Sequence, residues 1–262
     1  MKNSFLNLKN KFVIIIGGNG LIGKELVNEY SNLGAKILIL DKKISKNDKK
    51  KNIYFKKFDL KKVDRIKGIF EKVVKIYGCP DIFINAAYPR TKNWHNANYK
   101  NLTLKDLTEN LNLQLTSFIW SSIKVAELMK KNKKRGSIII VNSIYGKVAQ
   151  HKDLYKGTQL GINPVYSAAK GGLITFVKSL ASEYGEYGIR ANSIVCGGLS
   201  GKSAATGKKL SKNFIKNYAN KTLIKRLGNS KDVSFPIIFL SSSLSSYITG
   251  TELNIDGGYT SI

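Results

Sequence analysis

Tyr166 and Lys170 stand four residues apart in Tyr166-Ser167-Ala168-Ala169-Lys170, within a segment of helical character. That spacing puts both side chains on one helix face, one turn apart. A free phenol, with a pKa of about 10, exchanges protons poorly at neutral pH. An ammonium beside it favours the phenolate and draws that value toward the working range, which makes the pair a candidate proton-transfer centre. Surface helices carry the same pattern by chance. Here it follows Ser143, at the end of an apolar run, and a Gly-rich turn near the N-terminus.

That turn is Gly17-Gly18-Asn19-Gly20-Leu21-Ile22-Gly23, between an apolar run and an amphipathic segment. Gly18, Gly20 and Gly23 satisfy G-x-G-x-x-G, which supplies a tight turn, room for a pyrophosphate, and close packing of helix on strand. The phosphates would rest on the amides of the helix N-terminus. Asp41 closes the next strand, eighteen residues after Gly23. A carboxylate there accepts both adenosine ribose hydroxyls and repels a 2′-phosphate, which favours NAD over NADP. Lys42 and Lys43 follow at once, and either is able to pair with a 2′-phosphate. The alternative reading of Asp41 is an ordinary strand end.

These groups need a scaffold that brings distant segments together. Short apolar runs alternate with longer segments of helical period, the pattern of parallel βαβ units. Strands are predicted at Phe12–Ile16, Lys36–Leu40, Ile53–Phe55, Asp81–Asn85, Ser137–Val141, Arg190–Val195 and Glu252–Ile255. Helices are predicted at Leu21–Leu33, Lys62–Tyr77, Thr103–Lys131, Pro164–Tyr184 and Ser230–Ser242. The reading is a single-domain Rossmann fold over residues 1–262: an α/β, doubly wound, seven-stranded parallel sheet with helices on both faces. A chain of 262 residues that is 42% hydrophobic can bury such a core.

No apolar stretch approaches the roughly 20 residues of a membrane span. Phe12–Ile16 is too short for a signal-peptide core. Cys79 and Cys196 are the only cysteines, so neither a disulfide framework nor a cysteine-rich metal site is expected. His95 and His151 lack ligand-spaced partners, so no metal is expected. A cytoplasmic protein without a membrane partner follows. The net charge of +27 is spread from Lys2 to Lys231. Nucleic-acid binding would need it gathered into one patch with aromatics, so no nucleic-acid partner is expected. The densest run, Lys46 to Lys51, reads as a solvated loop. A positive surface would also steer anionic substrates inward.

From Phe12 to Gly258 the chain resembles the short-chain dehydrogenase/reductase family, in its compact single-domain branch. The resemblance makes Tyr166 the catalytic acid/base and gives Lys170 the nicotinamide ribose as well as control of the phenol. It assigns Ser143 to the reacting oxygen and Asn112, in Asn110-Leu111-Asn112-Leu113, to a proton-relay water at a helix kink. It assigns Asp59, in Phe58-Asp59-Leu60, to the adenine, and Asn85-Ala86-Ala87 to the wall behind the adenosine. Gly197, in Cys196-Gly197-Gly198, stands where Pro-Gly is usual. The usual turn, Thr-Gly-x-x-x-Gly-x-Gly, has Ile16 in place of Thr and Leu21 in place of the middle Gly. Ser200 or Ser203 would replace the Thr that grips the carboxamide. Family members pair the long helices in homodimers and homotetramers. Ile119, Ile123, Ala126, Ala169, Leu173, Phe176 and Leu180 offer apolar surface for that.

The implied reaction is hydride transfer between a nicotinamide and a secondary alcohol or its ketone. Two segments bear on the substrate. Lys147 to Asn163 lengthens the interval between Ser143 and Tyr166, and it carries His151, Asp153, Tyr155, Lys156, Thr158 and Gln159. The other is Tyr88-Pro89-Arg90-Thr91-Lys92-Asn93-Trp94-His95. Both leave strand C-termini, where ligands bind in open α/β sheets. Polar groups mixed with aromatics suit a hydroxylated ring. Tyr88, Arg90, Trp94, Ser143, Tyr145 and Tyr155 are the candidate contacts, with stacking by Tyr88 or Trp94. Arg90, Lys92, Lys147, Lys152 and Lys156 would attract an anionic group, or they belong to the general lysine load. These segments resemble bacterial oxidoreductases of surface-sugar and flagellin-glycan biosynthesis. An NADP-dependent ketoreductase of lipid or polyketide type and a non-catalytic Rossmann scaffold are the alternatives.

Overall fold

β1 (Phe12–Ile16) is a run of five apolar residues that are all buried, as a central parallel strand flanked on both faces requires. A computed structural model describes residues 6, 8–43, 52–94, 96–155, 162–201 and 209–262. The remaining strands are β2 (Lys36–Asp41), β3 (Ile53–Lys57), β4 (Ile82–Asn85), β5 (Gly136–Ser143), β6 (Ile189–Cys196) and β7 (Glu252–Ile255). They form one parallel sheet in the order β3-β2-β1-β4-β5-β6-β7. The seven strands are the seven expected, and β5 extends two residues further, to Ser143 itself.

Alternate residues of each strand serve opposite layers. Ile14, Ile16, Leu38, Leu40, Phe83, Ile138 and Ile140 pack against α2 (Ile66–Tyr77), α4 (Ser117–Lys131) and α5 (Pro164–Tyr184). Val13, Ile15, Ile37, Ile39, Ile84 and Ile139 pack against α1 (Leu21–Asn32) and α7 (Ser230–Ser241). The helices therefore cover both faces of the sheet. The chain order reverses between β1 and β4, and a crevice opens there at the strand C-termini.

The expected helix Thr103–Lys131 is broken. Thr103 caps α3 (Leu104–Leu111) in a capping box with Asp106, a π-helical turn spans Asn112–Thr116, and α4 follows. A π turn inserts extra backbone and shifts the helix phase, a device frequent at functional sites. Periodicity over a long apolar window does not show so short an interruption. Lys62–Tyr77 likewise begins as a 3₁₀ turn, Val63–Arg65, before α2. α6 (Lys212–Asn220) was not anticipated; it is short and lysine-rich, and its apolar face is carried by Phe214 and Tyr218.

Among the described residues no helix is long and apolar enough to cross a membrane. The lysine run Lys46 to Lys51, together with His95, Lys156, Thr158, Gln159 and Ser203, lies outside the described residues.

Candidate active site

The glycine turn is fixed by close contacts of backbone on backbone. Gly17 takes φ +80°, and a Cβ there would lie 2.7 Å from the Ala87 Cα. A Cβ on Gly23 would lie 2.1 Å from the Gly17 carbonyl oxygen, so α1 can seat on the turn only without a side chain. The tight turn thus falls on Gly17, one residue earlier than the motif predicts; Gly18 instead lies against Ile39. α1 begins at Gly20 with no side-chain cap, and its first amides are left for another acceptor. An uncapped helix N-terminus over a turn of this kind fits a pyrophosphate.

The turn forms one end of a cleft of about 1180 Å³. Gly17, Asn19, Gly20, Leu21, Ile22, Asp41, Leu60, Ala86, Ala87 and Gly197 line it at that end. Asp41 is held from two sides, by the Asn19 N–H at 3.0 Å and the Lys42 N–H at 2.6 Å. The Asn19 side-chain amide donates to the Lys43 carbonyl, which ties the glycine turn to the end of β2. Gly18, Gly23, Asp59 and Asn85 are not among the residues that line the cleft. Gly18 and Gly23 are packing positions. Asn85 is buried behind the wall, where its amide reaches Ser121 at 3.4 Å and its carbonyl accepts from Ala87 N–H.

Asp59 is held by contacts within the chain. Its carboxylate pairs with the Lys42 ammonium at 3.3 Å and accepts from the Lys61 N–H at 3.0 Å. Partial burial raises its pKa, but that hydrogen bond and the Lys42 charge outweigh it and hold the carboxyl below its usual range. Its neighbours Phe58 and Leu60 present the cleft wall in its place.

β5 delivers Ser143 to the middle of the cleft, where its hydroxyl accepts from Tyr145 N–H at 3.2 Å and hydrogen-bonds Tyr166. α5 carries Tyr166 and Lys170. Its start is strongly specified: Asn163 caps it by accepting from Val165 and Tyr166 N–H, and Pro164 occupies the first turn. Lys170 is 2% exposed; its Nζ lies 5.6 Å from the Tyr166 ring centre and 4.8 Å from that of Phe118. The turn after Ser143 is pressed onto this helix. The Asn142 amide donates to the Lys170 carbonyl at 3.1 Å, and a Cβ on Gly146 would lie 2.6 Å from that carbonyl carbon. Asn112 opens the π-helical turn, at the expected kink, and is not among the residues that line the cleft.

Electrostatics correct the simplest reading of the Tyr–Lys spacing. Burial pushes the Tyr166 phenol well above its ordinary value, with the Ser143 hydrogen bond opposing it. Burial pushes the Lys170 ammonium down, to about 8. The four-residue spacing puts the two groups together, but desolvation governs both. At neutral pH Tyr166 holds its proton and Lys170 keeps its charge.

Aromatic rings enclose Tyr166. Tyr88 and Trp94 each meet its ring edge-on at 5.8 Å between centres, and Tyr145 does so at 6.4 Å. Trp94 is 5% exposed, so most of it packs against the protein. The Tyr155 hydroxyl donates to the Tyr145 hydroxyl at 3.0 Å. A 3₁₀ turn, Lys152–Tyr155, sets Tyr155 beside Phe214 of α6, with ring centres 6.1 Å apart. Arg90 lines the same region. All six candidate substrate contacts therefore border one cleft.

Several lining groups carry no motif and were not anticipated: Gln150, Asn163, Leu210, Phe214 and Tyr218. The Asn163-Pro164 pair is a legible helix start. Tyr218 explains Gly197-Gly198: its hydroxyl accepts from Gly198 N–H at 2.6 Å, and a Cβ on Gly198 would lie 2.7 Å from its ring. Cys196, at the end of β6, is buried beside Lys170; burial pushes its thiol up to about 12, with the Lys170 charge opposing.

This arrangement has close counterparts. A family model described as enoyl-(acyl carrier protein) reductase matches residues 19–260. Post-translational flagellin modification protein A of Campylobacter coli is 28% identical over 96% of this chain and 99% of its own. The 3-oxoacyl-(acyl-carrier-protein) reductase FabG of Buchnera aphidicola subsp. Baizongia pistaciae is 32% identical over 95% and 96%. A crystal structure of a short chain dehydrogenase from Leptospira borgpetersenii with bound NAD+ superposes with a TM-score of 0.88. It is 33% identical and covers 99% of this chain and 96% of that one. With glycine turn, Ser143, Tyr166 and Lys170 disposed around one cleft, the chain belongs to the short-chain dehydrogenase/reductase family of NAD(P)-dependent oxidoreductases.

Proposed function

We propose that this protein, acting as a single domain, interconverts a secondary alcohol and its ketone on a hydroxylated, anionic sugar derivative of surface-glycan biosynthesis, with NAD as cofactor. When bound, the nicotinamide supplies or accepts the hydride. Gly17, Asn19, Gly20 and the first amides of α1 hold the pyrophosphate, and Asp41 takes the adenosine ribose. A fixed carboxylate there supports NAD over NADP. Lys42 is engaged with Asp59, which draws it away from a 2′-phosphate. The NAD+ of the Leptospira structure agrees with this reading.

Tyr166 carries the proton. Its phenol is neutral at pH 7 and hydrogen-bonded to Ser143, the state from which a ketone oxygen is protonated. Ser143 shares that oxygen and fixes its position. Lys170, charged and buried, stabilises the phenolate left behind and passes a proton toward Asn112 at the kink. The aromatic enclosure excludes water from this transfer.

The substrate class rests on one observation: the wall beside Tyr166 is built of hydroxyl-bearing aromatics. The Tyr145–Tyr155 hydroxyl pair, with Arg90 and Gln150 nearby, offers edge contacts to a polyol and charge to an anion. The name of the Campylobacter relative points the same way. A second reading, 3-oxoacyl reduction with NADPH, is favoured by the FabG relative and by Leu199, Leu210 and Phe214 in the cleft lining. Screening sugars, sugar phosphates and acyl ketones for change in nicotinamide absorbance separates the two. Turnover of acyl ketones alone overturns the sugar reading.

A homodimer or homotetramer is part of this proposal, on a narrower footing than the sequence suggests. Ala126, Leu173 and Leu180 are consumed by the chain's own core and Ala169 is fully buried, which leaves Ile119, Ile123 and Phe176 half-buried for a mate. A monomer by light scattering at micromolar concentration would refute it.

A further inference from the structure

The loop after β4 carries Tyr88 and Trp94 and has no regular structure of its own, yet both rings are set edge-on against Tyr166. Two wholly buried amides reach it from the broken helix. Gln114, in the π-helical turn, donates its Nε2 hydrogen to the Pro89 carbonyl. Asn110, in α3, accepts from the Thr91 hydroxyl at 2.8 Å. They lie four residues apart, on one face, and grip the loop at positions 89 and 91, between Tyr88 and Trp94.

Among the described residues the other half of each amide, the Gln114 Oε1 and the Asn110 Nδ2, is buried and has no hydrogen-bond partner. A buried polar atom left unpaired costs about 1–3 kcal/mol, so each amide offsets part of its own hydrogen bond. As fold-stabilising residues the two amides are therefore poor choices. As clamps on a loop they are good ones, because each presents one directed hydrogen bond that an apolar side chain lacks. Residues that break a local rule tend to mark function.

We propose that Gln114 and Asn110 are positioning residues that set the Tyr88–Trp94 wall against Tyr166, and so fix the shape of the substrate side of the cleft. The consequence for turnover rests on the Tyr166 reading above; the positioning itself does not. The phase shift of the π turn at Asn112–Thr116 then has a second use besides the placement of Asn112, since Gln114 lies within it.

Trp94 reports the loop directly, because Trp120 is the only other tryptophan and Trp120→Phe silences it. In that background Gln114→Met removes the donor and keeps the volume. Well below the melting transition we expect acrylamide quenching of Trp94 to rise about two- to threefold and its emission to shift red with NADH affinity unchanged, while the melting temperature falls because the Pro89 carbonyl loses its donor. Thr91→Val breaks the second clamp from the loop side and should raise quenching in the same direction; it also decides the matter if Gln114→Met fails to fold. Ser122→Ala is the control. It removes another unbonded buried hydroxyl, on α4, and should hold or raise the melting temperature without changing Trp94. Quenching unchanged from the parent in Gln114→Met and Thr91→Val would overturn the proposal, since packing alone would then hold the loop. Equal quenching in Ser122→Ala and Gln114→Met would overturn it too.

Discussion

The two halves of the cleft are made in different ways. At the cofactor end the controlling contacts belong to the backbone: Gly17 against Ala87, Gly23 against the Gly17 carbonyl, the uncapped start of α1. At the substrate end the controlling contacts belong to side chains: three rings around Tyr166, a hydroxyl pair, and amides that pin a loop. Backbone contacts tolerate almost no substitution, whereas side-chain contacts can be exchanged while the sheet stays intact. A scaffold of this kind keeps its cofactor and changes its substrate.

The largest effect expected from this contrast is Gly23→Ala. The added methyl meets the Gly17 carbonyl oxygen at a distance no packing allows, so either the turn or α1 must move. Overpacking of this kind costs about 1–3 kcal/mol of stability. NADH binding should fall below detection in a titration followed by nicotinamide fluorescence, because the phosphate cradle is the part displaced. NADH affinity within twofold of the parent would break the comparison.

Lys170 joins the halves, and its burial should be visible as pH dependence. Its folded-state pKa, about 8, is depressed from an unfolded value of about 10.5. Between those values the unfolded chain binds more protons, so this group makes stability rise with pH from about 8 upward, and below 8 its burial penalty is constant. Lys170→Met removes the penalty. The variant should melt higher than the parent at pH 7, and the gap should narrow as pH rises through 8 to 9. A gap that stays constant over that range would show that the ammonium is not desolvated.

Asp41→Ala should act on one end only. Loss of a carboxylate that faces a 2′-phosphate narrows the preference for NADH over NADPH by about tenfold, or 1.4 kcal/mol, with no change in substrate affinity. A parent protein that prefers NADPH would reverse the assignment and point to Lys42 or Lys43. The smallest effect belongs to Tyr155→Phe, which deletes one hydrogen bond worth about 1 kcal/mol. It should weaken the affinity for the best sugar found by the screen about fivefold and leave NADH affinity alone.

What the sequence showed follows the same division. All seven strands and the five longest helical segments are legible, because an apolar run flanked by helical periods leaves the chain few choices. The glycine spacing marks the cofactor end, since only a missing Cβ satisfies those contacts. Its detail slips by one residue, from Gly18 to Gly17, because a spacing does not reveal which glycine takes positive φ. The resemblance marks Asp59 for the adenine but not its ion pair with Lys42, a pairing between the end of β2 and the segment after β3 that no local pattern encodes. Asn163 carries a readable cap signal, but Gln114, Gly146 and Tyr218 do not. Their contacts are with segments 25, 24 and 20 residues away, and only the fold brings those together.

The central claim is that the two halves meet at one phenol that transfers a proton and does little else. Tyr166→Phe tests it most directly, with NADH affinity and turnover measured on the same preparation. The account predicts NADH affinity within about twofold of the parent and turnover reduced by about 10²–10⁴-fold, the contribution of a positioned acid or base. Near-normal turnover by the phenylalanine variant would contradict it.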